Sequence, residues 1–334
     1  MGVRILKAGM LTSVQDLGRF GYQNQGIGTS GVMDVRSFKI ANLLLDNPEN
    51  EAVLEFTLIG PTLEFTSDTI IAITGGDFRP KINNEPVNMY EAIYVCKGDI
   101  LELGSAKTGS RGYVAFSSYL NVPVVMGSRS TNMKSMIGGF GGRKLQNGDL
   151  LYFRVKRRYV PYFLSRRLDL NEFLERDVEI RVVMGPQADH FTKEGRETFL
   201  NGTYTVTSEF DRMGCRLEGP YVAAKETSDI ISDGIALGSI QVPSHGKPII
   251  LLSDRQTTGG YAKIATVASA DLPKLVQRKV DDKINFKAIT VEEAQKLLLD
   301  EVKEMDEFRR LIRRPCKEVL ESRLVAKRLK KLFE

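Results

Sequence analysis

The chain has 334 residues, with 47 Lys and Arg against 42 Asp and Glu, two His, three Cys and no Trp. Its net charge of +5 is confined to residues 303–334, which hold 11 basic and 6 acidic side chains, so residues 1–302 balance to zero. A neutral body argues against a broad nucleic-acid surface, which needs basic charge along one face.

The length favours two domains over one. Cys96, Cys215 and Cys316 are scattered and odd in number, so they make no disulfide framework and point to a reducing cytoplasm. No C-x-x-C or H-x-x-x-H spacing offers a zinc site, and none is assigned. The N-terminus lacks the sustained apolar stretch of a signal peptide. Aliphatic runs such as Pro248-Ile249-Ile250-Leu251-Leu252 are far too short to span a bilayer, so no membrane is expected.

In chain order, residues 1–25 read as short strands and turns. Asp34 is placed to cap a helix running to about Leu45, with Phe38, Ala41, Leu44 and Leu45 on its inner side. The chain then stops at Asp46-Asn47-Pro48. From Ala52 the texture is β. Strands are expected at 53–58, 63–65, 70–74 and 92–95, with turns at Gly75-Gly76-Asp77, Asn83-Asn84 and Lys97-Gly98-Asp99. Many short strands at close spacing argue for a barrel or sandwich and against a parallel βαβ sheet.

Residues 154–167 carry six basic side chains and no acid. The segment reads as a connector with a solvated face, or as a docking patch for an acidic partner. A second β-rich region starts at Glu179 and weakly echoes the first: 123–129 resembles 248–255, and 148–153 resembles 281–286. If this is a duplication, a cleft between the copies is a natural ligand site. Thr290-Val291-Glu292-Glu293 is a capping-box pattern. A helix follows to about Arg314, with positions 294, 298, 302, 305 and 308 forming one buried stripe. Another helix reaches toward Leu332.

Gly26-Ile27-Gly28-Thr29-Ser30-Gly31 matches G-x-G-x-x-G, but the polar residues before it are not the hydrophobic strand that a dinucleotide fingerprint leaves. No Walker A sequence is present. The glycine cluster 138–142 reads as a flexible turn or as a set of amides for an anion. The densest polar cluster is 253–263, Ser-Asp-Arg-Gln-Thr-Thr-Gly-Gly-Tyr-Ala-Lys, directly after an aliphatic strand. A rigid strand presenting a carboxylate, a guanidinium, an amide, hydroxyls and an ammonium is what substrate positioning requires. The plain alternative is that Asp254 and Arg255 pair with neighbours. Gln241 and His245 precede the same strand.

Val14-Gln15-Asp16-Leu17-Gly18-Arg19, Ser30-Gly31-Val32-Met33-Asp34, Gly127-Ser128-Arg129-Ser130-Thr131, Gly185-Pro186-Gln187, Asp211-Arg212-Met213-Gly214 and the 254–263 block stand together in one order. In these motifs the chain resembles the family of 5-oxoprolinase C subunits, also called KipA or allophanate hydrolase subunit 2, over roughly residues 3–290. It is also similar to half of the carboxyltransferase region of biotin-dependent urea carboxylase.

The resemblance implies a mainly β chain of two cyclophilin-like β-barrel domains, at 1–155 and 179–290. A basic linker at 156–178 would join them, and C-terminal helices at 291–334 would follow. It implies two partners, a KipI-like B subunit and a LamB/YcsF-like A subunit. Together these would form an ATP-dependent 5-oxoprolinase that opens 5-oxoproline to L-glutamate, with ATP and Mg consumed by the complex and no cofactor assigned to this chain. It further implies that Gln241 presents its amide to the substrate amide. The urea carboxylase segment departs from the 254–263 motif, so its carboxyl-transfer chemistry is not carried over.

Opening a lactam needs amide-recognising hydrogen bonds, cations for anionic groups and a base for water. Gln241 is assigned to the small amide substrate. Arg129, Arg255 and Lys263 are candidates for anionic groups, and Asp254 is the candidate base or orienting carboxylate. Tyr261 would wall the pocket, with Gln256 and Thr257 as further substrate contacts. Gln15, Asp16, Arg19 and Asp34 read as braces for turns or for an interface with a partner, and Asp211–Arg212 as an ion pair holding Met213-Gly214. Two other functions share this resemblance. One is a regulatory protein that sequesters a KipI-like histidine-kinase inhibitor. The other is a urea- or allophanate-type carboxyltransferase component, which would need a biotin carrier; the chain has no M-K-M sequence.

Overall fold

The computed structural model describes residues 1–170 and 172–315. They divide into two compact units. Unit 1 takes residues 1–18, 34–172 and the chain from Lys303; unit 2 takes Arg19–Met33 and Phe173–Val302. The chain is mainly β, as its alternating short apolar runs predict.

Unit 1 contains β1 (Gly2–Lys7), β2 (Leu11–Gln15), α1 (Val35–Leu44), β3 (Val53–Thr57), β4 (Thr62–Phe65), β5 (Thr69–Asp77), β6 (Lys81–Ile82), β7 (Glu85–Pro86), β8 (Ala92–Val95), β9 (Ile100–Glu102), β10 (Thr108–Phe116) and β11 (Leu150–Tyr152). These strands form two sheets, ordered β11-β1-β4-β9-β6-β7 and β2-β3-β10-β5-β8. Val3, Ile5, Leu63 and Phe65 of the first sheet share one core with Phe56, Ile71, Ile73, Val114 and Phe116 of the second. The helix α1 packs on β5 and β10, and the Thr74 hydroxyl donates to the Ser37 carbonyl at 2.7 Å. The β5 strand is therefore covered on both faces, which is why 70–73 reads as an unbroken apolar run.

Several local expectations are met. Asp34 caps α1, its carboxylate accepting from the Ser37 N–H at 2.9 Å. Phe38, Ala41, Leu44 and Leu45 are buried. Asn83 and Asn84, both at positive φ, turn β6 into β7. One expectation fails: Gly75-Gly76-Asp77 is not a turn but the end of β5. The β5–β10 register shifts between Thr108 and Gly112, and a Cβ on Gly75 would stand 2.3 Å from the Arg111 carbonyl oxygen. The glycines serve a bulge and a close backbone approach.

The basic stretch 154–167 is folded onto unit 1. Arg154 pairs with Glu51 and Arg158 with Asp68. Arg157 donates to the Asp46 carbonyl and to Asn47. Buried Arg166 donates to the carbonyls of Leu43 and Leu44 at 2.9 and 3.2 Å, satisfying acceptors that the end of a helix leaves open.

The last helix, α4, spans Val291–Leu311. It opens with the expected capping box: the Thr290 N–H donates to Glu293 and the Glu293 N–H to Thr290. The expected buried stripe is not observed. Phe308 is buried, but Leu298 is 48% and Val302 53% exposed. Periodicity identifies an amphipathic face without identifying what covers it. The helix expected toward Leu332, and Cys316, lie outside the described residues; Cys96 and Cys215 form no disulfide among the described residues.

Unit 2 contains β12 (Asp177–Met184), α2 (Lys193–Asn201), β13 (Thr203–Phe210), β14 (Gly214–Glu218), β15 (Asp229–Gly234), β16 (Ser239–Gln241), β17 (Ile249–Leu251), β18 (Thr258–Tyr261), β19 (Lys263–Val267), α3 (Leu272–Val276) and β20 (Lys283–Ala288). Seven of these strands close into a barrel in the order β12-β19-β16-β17-β14-β13-β20. The parallel β12–β20 pair, from Asp177↔Lys283 to Val182↔Ala288, completes the ring. Ile180, Val182, Tyr204, Cys215, Ile240, Ile250, Ile264 and Phe286 belong to its core, with the Phe199 ring stacked on Phe286 at 4.5 Å. The β15–β18 pair is a separate two-stranded ribbon. Of the stretches that read as copies, 123–129 holds no strand, whereas 248–255 contains β17.

Candidate functional site

Strand alternation in the barrel sets the site. Ile240, Ile250 and Cys215 belong to the core cluster. Their chain neighbours Gln241, Ile249, Leu251, Gly214 and Arg216 line a cavity of about 460 Å³. Successive side chains on a strand point to opposite faces, so this cavity lies on the outer face of the barrel, across β16, β17 and β14. Gln256 and Tyr261 add to its wall, together with Glu209 from the end of β13 and Asp211 from the β13–β14 turn.

Three residues expected from the sequence, Gln241, Gln256 and Tyr261, therefore share one cavity. Gln241 is 2% exposed, and its Nε2 donates to the Tyr261 carbonyl at 3.2 Å. A Cβ on Gly259 would stand 2.9 Å from that Nε2, so a glycine lets the ribbon pass over the amide. Tyr261 is 41% exposed, which suits a wall.

Lys263 is the cross-strand partner of Gln241. Its side chain is 5% exposed, and its Nζ pairs with Asp233 Oδ2 at 2.9 Å. Gln187 buttresses the pair: its Oε1 accepts the Lys263 N–H at 3.2 Å and its Nε2 donates to Asp233 Oδ2 at 3.4 Å. The Gly185-Pro186-Gln187 motif makes this approach feasible, because a Cβ on Gly185 would meet the Lys263 carbonyl oxygen at 2.3 Å. The Lys263 ammonium, followed by the Gly234 N–H, holds the Asp233 carboxyl below the usual carboxylate range.

The other expected residues sit elsewhere. Asp254 accepts from Arg212 Nε at 2.8 Å and Nη2 at 3.2 Å, with both side chains buried. Both of its oxygens are thus engaged, as in an orienting carboxylate. This corrects the expected Asp211–Arg212 pair: Asp211 instead accepts from the N–H groups of Met213 and Gly214, a local turn, and Arg212 reaches a carboxylate 42 positions away. Arg255 is buried and meets neutral acceptors, the Ile235 carbonyl at 3.0 Å and Thr29 Oγ1 and the Leu252 carbonyl at 3.3 Å. Burial pushes its guanidinium below the ordinary arginine range. The Thr257 carbonyl accepts from the Ile235 N–H at 3.0 Å. Arg129 belongs to unit 1, where its N–H donates to Asp16 at 2.6 Å.

Sequence reasoning missed Gln187, Asp233, Glu209 and Arg216 as members of this region. Gln187 stands within the Gly185-Pro186-Gln187 motif, which is the signal that could have found it. Asp233 carried no signal, because its ribbon strand is exposed and its partner lies 30 positions away. Among the described residues, no group of three His, Cys, Asp or Glu side chains is placed to hold a metal ion. No helix among them is long and apolar enough to cross a membrane.

Comparison with known proteins gives these features a family. A model described as carboxyltransferase domain, subdomain A and B, matches residues 25–288. The C subunit of 5-oxoprolinase from Haemophilus influenzae is 35% identical over 93% of this chain and 98% of its own length. That of Escherichia coli is 35% identical over 90% of this chain and 95% of its own. The crystal structure of Kluyveromyces lactis urea amidolyase matches 92% of this chain at a TM-score of 0.85 and 32% identity, and that of the urea carboxylase from the same organism matches at 0.84 and 33%. In those two the match spans only 20% and 29% of the longer chain. On the match of 25–288 and the near full-length likeness to two bacterial relatives, the chain belongs to the carboxyltransferase domain family of subdomains A and B.

Proposed function

We propose that the chain is the C subunit of an ATP-dependent 5-oxoprolinase, converting 5-oxoproline, ATP and water to L-glutamate, ADP and phosphate. It would act with a KipI-like B subunit and a LamB/YcsF-like A subunit. The observation that carries this reading is length. The chain matches two proteins named as 5-oxoprolinase C subunits almost end to end, whereas it spans about a fifth of urea amidolyase.

The unit 2 cavity supports the reading in chemical terms. A lactam offers one carbonyl acceptor and one N–H donor, and the primary amide of Gln241 can complement both. Lys263 supplies positive charge beside it for the substrate carboxylate, and Tyr261 and Gln256 wall the ring. Arg255, and Arg129 in unit 1, are the remaining cations for anionic groups. Asp254 holds Arg212 and through it the 253–255 turn. ATP and Mg are consumed by the complex; this chain is assigned the amide and the carboxylate. A urea-type carboxyltransferase component is the second reading, favoured by the two Kluyveromyces lactis structures.

The test is reconstitution. The chain is combined with its B and A subunits and assayed for ATP-dependent turnover of 5-oxoproline, urea and allophanate. Glutamate release that requires this chain supports the proposal, and Gln241→Ala lowers it about tenfold, the scale of a lost hydrogen bond of about 1.4 kcal/mol. Full 5-oxoprolinase activity without the chain would leave only a regulatory role, and biotin-dependent turnover of urea would establish the second reading.

A further inference from the structure

We propose that the Asp233 carboxylate is a built-in stand-in for the ligand carboxylate, occupying a carboxylate subsite formed by Lys263 Nζ and Gln187 Nε2. The assignment of that carboxylate to the same small molecule whose amide meets Gln241 rests on the proposed function; the subsite itself does not.

A buried ammonium needs a counter-charge, because removing it from water unpaired is costly. Lys263 is 5% exposed, and among the described residues its carboxylate partner within 4 Å is Asp233. That partner is anchored differently. Lys263 stands on β19, a strand of the closed barrel. Asp233 stands on the two-stranded ribbon β15–β18, whose register shifts between Asp229 and Asp233. The Asp233 side chain is 55% exposed, and Ile231 beside it is 94% exposed. An isolated two-stranded ribbon is marginal in stability. A fixed, buried cation is thus matched to an anion that solvent already reaches.

The donors converge as they would on a bound carboxylate. Lys263 Nζ at 2.9 Å and Gln187 Nε2 at 3.4 Å both address the single oxygen Oδ2. Gln187 is pre-set, because its own oxygen accepts the Lys263 N–H. The second oxygen, Oδ1, accepts the Gly234 N–H at 2.7 Å, a bond within the ribbon that leaves with it. Replacing Asp233 by an external carboxylate therefore keeps both barrel-side donors satisfied and keeps Lys263 paired. A ligand whose carboxylate is borne on the carbon bonded to its amide nitrogen would bridge Gln241 and Lys263, which are cross-strand partners.

The experiment titrates the full chain, wild type and Asp233→Asn, with acetate, with 5-oxoproline and with neutral 2-pyrrolidinone. Lysine Nζ resonances are followed by nuclear magnetic resonance, and Lys263 is identified by its loss in Lys263→Met. Removing the internal competitor tightens acetate and 5-oxoproline about tenfold, the gain expected if the subsite is open about a tenth of the time. It leaves 2-pyrrolidinone unchanged, and Lys263→Met in the same background abolishes the gain. In the wild type, saturating acetate moves the Asp233 carboxyl carbon signal to its free position, a readout that needs no variant. Unchanged or weaker acetate binding in a folded Asp233→Asn chain, or an Asp233 signal indifferent to saturating acetate, overturns the inference. A gain for acetate without 5-oxoprolinase activity in the assembled complex would keep the subsite and remove only the proposed reaction.

Discussion

In unit 1 the buried carboxylate of Asp16 accepts from four donors of its own unit: the Ser128 and Ser130 hydroxyls at 2.6 Å, the Arg129 N–H at 2.6 Å and the Gly18 N–H at 2.9 Å. In unit 2 the buried ammonium of Lys263 has a carboxylate on a half-exposed ribbon, and the acceptors of the buried Arg255 guanidinium among the described residues are uncharged. The first arrangement is closed, because every strong bond is made by groups packed in place. The second is open to exchange, because an incoming anion can replace a partner or supply one. On the proposed reading this contrast favours chemistry in unit 2, and the Asp16 carboxylate ties the 128–130 backbone and hydroxyls in place.

The contrast can be broken at several points. The largest effect is expected at Asp16→Ala, which strands four donors and should cost about 3–5 kcal/mol of stability. Urea unfolding measures it, and a loss under about 1 kcal/mol would mean that the cluster is not closed. Next comes Lys263→Ala in the assembled complex. Turnover should fall about 10- to 100-fold, the range for a hydrogen bond to a charged group, while the melting temperature shifts little because the stranded Asp233 remains in water.

A smaller effect is expected in acid. Asp271 is buried, which alone raises its carboxyl. Hydrogen bonds from the Arg181 side chain and N–H, together with the Lys274 charge, carry it below the usual range. Its contribution is therefore complete above the unfolded value of about 3.9 and is lost as pH falls through the lower folded value. Between about pH 5 and pH 3 the wild type should lose more stability than Asp271→Asn, and parallel losses would contradict the pairing. Smallest is Thr290→Ala, which removes half of the capping box and should cost about 1 kcal/mol in the unfolding free energy.

Local chemistry was the legible part of the fold. Asp34 at the start of α1, Thr290 with Glu293 before α4, and Asn83-Asn84 between β6 and β7 each act within a few residues of themselves, so the sequence displays both partners. Gly75-Gly76 misled because a glycine pair marks a turn or a bulge equally well, and the decision lies with β10. The α4 stripe misled because amphipathicity does not name the surface that buries it. The candidate site was half legible. Gln241, Gln256 and Tyr261 meet in one cavity, but Arg212 finds Asp254 and Lys263 finds Asp233 only through the barrel closing. Long-range ion pairs have no period and no spacing for a single sequence to reveal.

The most direct measurement compares the assembled complex carrying Gln241→Ala with Lys263→Ala against the wild-type complex, at matched melting temperature, by ATP-dependent glutamate release from 5-oxoproline. The account predicts at least a roughly hundredfold loss of turnover, with complex assembly intact. Wild-type turnover in that double variant would show that the outer face of the barrel is not where the amide and its carboxylate are held.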